Sequence, residues 1–172
     1  MNKITPFPSL TPEFLQRTKE IADKIQTTPE NLLSVMYFET GGTLSASQKN
    51  NAGGSAVGLI QFMPKTAKGL GTSSEELSKM TNVKQLDFVE KYLSSFKGKV
   101  GDIKNLYLSI IYPKALKSQS EEVFSKKSTL QQYEANKGFD LNKDGQITKS
   151  EMSERVGKTL EFIQKLNLFR FV

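Results

Sequence analysis

The stretch Thr27-Thr-Pro-Glu-Asn-Leu-Leu-Ser-Val-Met-Tyr-Phe-Glu-Thr-Gly-Gly42 organises the whole chain. Thr28 followed by Pro29 reads as a helix start. The Thr hydroxyl can accept from a first-turn N–H, and a Pro at the first helical position gives up an N–H that has no intrahelical partner. Leu32, Val35, Met36 and Glu39 fall at i, i+3, i+4 and i+7, along one stripe of that helix. Gly41-Gly42 ends it. A carboxylate therefore closes an apolar stripe at a helix C-terminus, where burial and the negative end of the macrodipole both disfavour its charge. Its pKa is expected to rise, which suits a general acid working near neutral pH. The alternative is a helix-end Glu that reaches solvent, and spacing by itself leaves both readings open.

Upstream, Thr11-Pro-Glu opens a helix with Phe14, Leu15, Thr18, Ile21, Ala22 and Ile25 on one face. Residues 1–10, with two prolines, read as an irregular lead-in. Downstream, Thr43-Leu-Ser-Ala-Ser-Gln-Lys-Asn-Asn-Ala-Gly-Gly-Ser-Ala-Val-Gly58 has little periodicity. A loop this long between well-patterned elements is a ligand-binding loop or a linker. The apolar run Gly58-Leu-Ile-Gln-Phe-Met63 follows, and its Gln61 is costly unless the amide finds partners, structural or in a ligand. Further helices are expected from Pro64 to Leu70, after Ser73 or Ser74, over 82–96 (Val83, Leu86, Val89, Leu93, Phe96), from Asp102 to Pro113 (Ile103, Leu106, Tyr107, Ile110, Ile111) and over about 149–167 (Met152, Val156, Leu160, Ile163). Residues 114–128 are Lys- and Ser-rich and poorly patterned, and the apolar tail Leu168-Phe-Arg-Phe-Val172 is expected to pack on the body. No alternating strand pattern of useful length appears, so the fold class is mainly α.

The chain of 172 residues suits one domain, or one domain with a small appendage. It contains neither cysteine nor histidine. That excludes disulfides, thiol catalysis, Ser-His-Asp chemistry and metal sites built on thiolate or imidazole. Acid–base work falls to Glu, Asp, Lys or Tyr. The net charge of +6 favours an anionic partner. Charge does not choose between a nucleic acid and another anionic polymer such as a bacterial cell wall, though the singly scattered lysines, the absence of Trp and the lack of aromatic–basic interleaving point away from nucleic acid. No run is long enough to span a bilayer. The start, Met1-Asn-Lys-Ile-Thr-Pro-Phe-Pro8, lacks the apolar core of a secretory signal.

Asp140-Leu-Asn-Lys-Asp-Gly-Gln-Ile-Thr-Lys-Ser-Glu151 matches the twelve-residue EF-hand loop. Oxygen ligands would come from Asp140, Asn142, Asp144, the Gln146 carbonyl and a bidentate Glu151, with Gly145 at the sharp turn and Ile147 packing inward. This all-oxygen set suits Ca2+. The short incoming helix, roughly Leu130 to Asn136, favours a structural clamp over a switch.

Phe38-Glu39-Thr40-Gly41-Gly42, Gly58-Leu-Ile-Gln-Phe-Met-Pro64 and Thr66-Ala67 together resemble the soluble lytic transglycosylase family, whose fold is lysozyme-like. The resemblance runs from residue 30 to about 113. It looks closest to phage virion-associated peptidoglycan hydrolases, in which segments like Gln85 to Tyr92, Leu106 to Pro113 and a terminal Asp-rich loop recur. It implies a lysozyme-like domain over 1–128, with the calcium loop and C-terminal helix of 129–172 packed on it. The implied activity is cleavage of the MurNAc–GlcNAc β-1,4 bond of peptidoglycan, with Glu39 as the single catalytic acid/base closing a 1,6-anhydro ring. Thr40, Gly58, Gln61, Phe62 and Tyr112 would contact substrate. Thr40 stands where the family has Ser, and Ile111-Tyr112-Pro113 where it has Ala-Tyr-Asn. With no Trp, Phe62, Tyr37 and Tyr112 are left to offer aromatic faces to sugar. A second carboxylate, if one assists, would be Asp87 or Glu90, though surface charge explains both as well. A hydrolytic muramidase and a non-catalytic wall-binding or virion-structural domain are the alternative readings. Such a protein, without a signal peptide, would be made in the cytoplasm and reach the wall through a virion or tail, a secretion apparatus or lysis.

Overall fold

Thr11 caps α1 (Pro12–Ile25) by accepting from the Phe14 N–H at 3.1 Å, and Thr28 caps α2 (Pro29–Glu39) by accepting from Asn31 N–H at 3.2 Å. Both begin with Pro, as their sequences require. Short helices α3 (Pro64–Gly69) and α4 (Ser74–Lys79) lead to α5 (Asn82–Leu93), and Asp102 caps α6 (Ile103–Ile111). After strand β1 (Glu122–Ser125) come α7 (Leu130–Asn136), β2 (Gln146–Thr148) and the long α8 (Lys149–Leu166). These elements belong to a computed structural model that describes residues 8–49 and 54–172. The irregular lead-in expected over 1–7 and the centre of the long loop, Asn50 to Gly53, lie outside the described residues.

The mainly α reading holds, and one element is more central than its sequence stripe indicates. Every residue of α2 from Asn31 to Met36 is buried, because α1, α6 and α8 enclose it on several sides. A helix covered all round needs no single apolar face. Its side chains Leu32, Leu33, Val35 and Met36 are wholly inaccessible, and each contributes roughly 1.5–3 kcal/mol by burial. Glu39 is the last residue of this heavily anchored helix, so its backbone has little freedom.

The expected helix over 82–96 is α5 plus a 3-10 turn at Ser94–Phe96. The tail packs on the body as expected: Leu168, Phe169 and Val172 lie against the main core, and the turn they form meets α1. The two strands were not expected. β1 and β2 pair antiparallel with a bulge between Glu122 and Phe124, and pairs this short carry no readable alternation. They hold a second apolar cluster, of Leu108, Ala115, Phe124, Tyr133, Ile147 and Met152, between the 140–151 loop and the back of α6. Among the described residues no helix is long and apolar enough to cross a membrane.

Candidate active site

A cleft of about 470 Å³ opens at the C-terminal end of α2. Glu39, Thr40 and Gly41 form one wall, Tyr107, Ile110 and Ile111 of α6 another, and Gln48, Lys49, Ile60, Gln61 and Met63 a third. The wall opposite α2 is a tight turn. Val57 and Phe62 exchange backbone hydrogen bonds at 3.1 and 2.8 Å, and the Gln61 N–H closes the turn onto the Gly58 carbonyl at 3.1 Å.

Glu39 is the only carboxylate lining the cleft among the described residues, and there it makes no hydrogen bond or ion pair. Burial raises its pKa to about 7, with no neighbouring charge contributing. The carboxyl thus holds a proton into the neutral range and can also release it there. Tyr107 stands beside it. Its ring meets Phe38 edge-on at 5.6 Å and is 2 % exposed, and burial followed by the nearby Glu39 charge pushes its hydroxyl well above the usual phenol range. Tyr107 therefore stays a protonated donor at the cleft wall.

Gln61 adopts a left-handed backbone, φ 52°, and its Nε2 donates to the carbonyls of Gln48 (3.1 Å) and Gly58 (3.0 Å). The amide nitrogen is thus held within the turn, and the residue lines the cleft. Thr40 lines the cleft too, but its hydroxyl is 1 % exposed and works on the backbone. It donates to the Met36 carbonyl at 2.7 Å and accepts from Leu44 N–H at 3.0 Å, securing the chain reversal after Glu39.

Three of the expected substrate contacts lie outside the cleft lining. Phe62 is 2 % exposed and belongs to the core, because the turn points it inward. Gly58 sits beneath the turn at φ 84°, over Gln85. Tyr112 packs on Phe124, ring centroids 4.8 Å apart, against the second cluster. The tyrosine that lines the cleft is Tyr107, five residues earlier. Its ring belongs to the main core, as its place in the apolar stripe of α6 indicates. Tyr37, the other aromatic expected to face sugar, packs its ring on Phe162 of α8 at 5.8 Å and is not among the lining residues. Asp87 and Glu90 do not line the cleft either. They form a network with Arg17, Lys24 and Lys84 that ties α5 to α1. Hydrogen bonds chiefly from Lys84 and Lys24, then from Arg17, hold both carboxyls below the usual range.

Gln85 was missed as well. It is fully buried, accepts from Leu59 N–H at 2.7 Å and donates to the carbonyls of Ala46 (3.0 Å) and Leu77 (2.9 Å). It thereby clamps the 44–46 strip and the Gly58 turn to α5. One signal in the sequence could have found it: Gln85 lies one turn before Val89 on the buried face of its helix.

The sequence profile described as the transglycosylase SLT domain matches residues 16–122. The chain belongs to the transglycosylase SLT family. It is a lysozyme-like, peptidoglycan-cleaving enzyme, and α2, the Gly58 turn, α5 and α6 all fall inside the SLT match. No curated protein and no solved structure matches the chain.

The Asp140–Glu151 loop lies beyond the SLT segment. Gly145 turns at φ 84° and Ile147 is fully buried. Asp140 accepts from the N–H groups of Asp144 (3.1 Å) and Gly145 (3.0 Å) and from the Tyr133 hydroxyl (2.6 Å), which chiefly holds its carboxyl below the usual range. Asp144 accepts from Gln146 N–H at 2.8 Å. Glu151 reaches back to Leu141 N–H at 3.2 Å while closing a capping box with Thr148 at the start of α8. The donors are of the hard oxygen type a calcium ion requires. Among the described residues, however, no group of three or more His, Cys, Asp or Glu side chains converges as a metal site, since the carboxylates turn to the loop's own N–H groups.

Proposed function

We propose that the chain is a lytic transglycosylase in which Glu39 is the single acid/base. The observation that carries this reading is the lone, unpaired Glu39 carboxyl, with its pKa near 7, in a cleft lined by no second carboxylate among the described residues. Two-carboxylate glycosidases divide acid and nucleophile or base between two groups. Here one group takes both parts in succession. Protonated Glu39 gives its proton to the glycosidic oxygen as the bond from muramic C1 breaks, and the 2-acetamido oxygen of the same sugar bonds to C1. The Glu39 carboxylate then takes the proton of the muramic 6-hydroxyl as that oxygen attacks C1 and displaces the acetamido group. The products are a free GlcNAc 4-hydroxyl and a 1,6-anhydro-MurNAc end, and Glu39 is again protonated. Gln61 and Tyr107 flank the path as hydrogen-bonding groups that orient sugar.

Because the first step needs protonated Glu39, the rate should fall as pH rises through about 7, the point to which burial raises this carboxyl. Fragment release from purified wall across pH 5 to 9, at constant ionic strength, checks this. A rate flat to pH 9 would count against Glu39 as the acid.

The 140–151 loop takes Ca2+ in this reading, as a clamp on the second apolar cluster. Asp140, Asn142, Asp144, the Gln146 carbonyl and Glu151 would hold it, and the ion would supply structural charge neutralisation only. Ion binding to the folded state should raise the melting temperature, by ~2.7 kcal/mol of stability at a hundred-fold excess over Kd. Differential scanning fluorimetry with calcium and then with excess chelator reads the shift. Asp140→Asn, at the loop position where the pattern demands Asp, should lose it, and a wild-type melting temperature indifferent to both additions would rule out the calcium clamp.

A further inference from the structure

Among the described residues the cleft lining contains one basic side chain, Lys49. It makes no ion pair among the described residues. Its backbone is fixed from both sides, by a bridge to Val57 and by a hydrogen bond from the Gln48 side-chain nitrogen to the Lys49 carbonyl at 2.9 Å. The Gly58 N–H also holds the Gln48 carbonyl at 2.8 Å, so the segment carrying Lys49 is bonded to the turn that carries Gln61. Burial alone raises the Glu39 pKa, so this ammonium is not spent as a counter-ion to that carboxyl. With Glu39 protonated, Lys49 is the one cationic side chain that the described residues offer a ligand in the cleft.

A neutral sugar strand has no use for that charge. A muramyl residue does, because the lactyl ether on its O3 ends either in a carboxylate or in a peptide that bears carboxylates. We propose that Lys49 is a specificity-determining residue whose ammonium binds a carboxylate on the muramyl substituent of the strand in the cleft. The proposal rests on the peptidoglycan-cleaving reading above and adds the part of the substrate that the cleft selects. An ammonium on a flexible stem is a point charge suited to this task, since it makes no demand for a planar, bidentate partner.

Three walls separate the sources of the carboxylate. Intact peptidoglycan carries stem-peptide carboxylates, amidase-stripped strands carry the lactyl carboxylate alone, and stripped strands coupled to methylamine by carbodiimide carry neither. Lys49→Gln should lower kcat/KM by about five-fold, mainly through KM, on a wall whose carboxylate it reads, and Lys49→Arg should restore most of it. The ratio of wild type to variant should approach one on the blocked strands. A penalty confined to intact wall assigns the stem peptide, and one confined to stripped strands assigns the lactyl group. Co-sedimentation of Glu39→Gln and of Glu39→Gln/Lys49→Gln with the same walls reads binding without turnover, so a failed catalytic reading would leave this test standing. An equal penalty on all three walls, or none on any, overturns the proposal.

Discussion

Glu39→Gln is expected to cut release of soluble wall fragments by about a thousand-fold or more, because general acid–base assistance is worth roughly 10²–10⁴ and the proposed mechanism assigns both steps to this one group. The loss should come without loss of fold. Burial raises the Glu39 pKa from its ordinary 4.5 to about 7. Between those values the folded protein keeps a proton that the unfolded chain has released, so stability falls as pH rises through that window. Above it the ionised carboxylate costs the fold up to ~3 kcal/mol, since each pH unit separating the folded and unfolded pKa values is worth about 1.4 kcal/mol. Glutamine carries no such charge. The variant should therefore melt several degrees above the wild type at pH 8, with the gap closing toward pH 5. Higher stability combined with lost turnover is the signature of a strained functional acid. A variant that is both inactive and less stable at pH 8 would mark Glu39 as a packing residue.

Among the described glycines, Gly58→Ala should be the most damaging single methyl group. A Cβ there would lie 2.2 Å from Gln85 Oε1 and 2.7 Å from its Cδ, and the backbone has φ 84°. The left-handed conformation alone costs about 1–2 kcal/mol for a residue with a Cβ. Moving the Gln85 amide away breaks its three buried hydrogen bonds, each worth ~1 kcal/mol or more when a partner is left unsatisfied. A loss of roughly 3–5 kcal/mol follows, or a fall of about 10 °C in melting temperature for a chain of this size. Gly41→Ala is the control. It shares a positive φ, 58°, but its Cβ would meet nothing within 4 Å, so it should cost only the backbone term. Equal melting temperatures for the two variants would mean that the Gln85 clamp contributes little.

The sequence carried the helices well because caps and stripes are local. Thr11, Thr28, Thr81 and Asp102 each cap the helix that follows, and the buried face of α1 is the six-residue set its periodicity marks. Glu39 could be singled out for the same reason, since it ends a patterned helix. What could not be read depends on contacts distant in sequence. Gln85 is structural only because Leu59, Ala46 and Leu77 come to it. Tyr107 and Tyr112 are five residues apart on and beyond α6, and only the packing of the second cluster decides which of them faces the cleft. Phe62 follows Gln61 in a turn whose hand, set by positive φ at Gly58 and Gln61, sends one side chain to the cleft and the next to the core.

That one carboxyl acts first as acid and then as base is tested most directly by the mass of the fragments it releases. Purified peptidoglycan digested with the wild type should yield muropeptides lighter by one water than their hydrated counterparts, and Glu39→Gln should yield neither form. Hydrated ends from the wild type, or anhydro ends from the variant at a comparable rate, would contradict the assignment of both steps to Glu39.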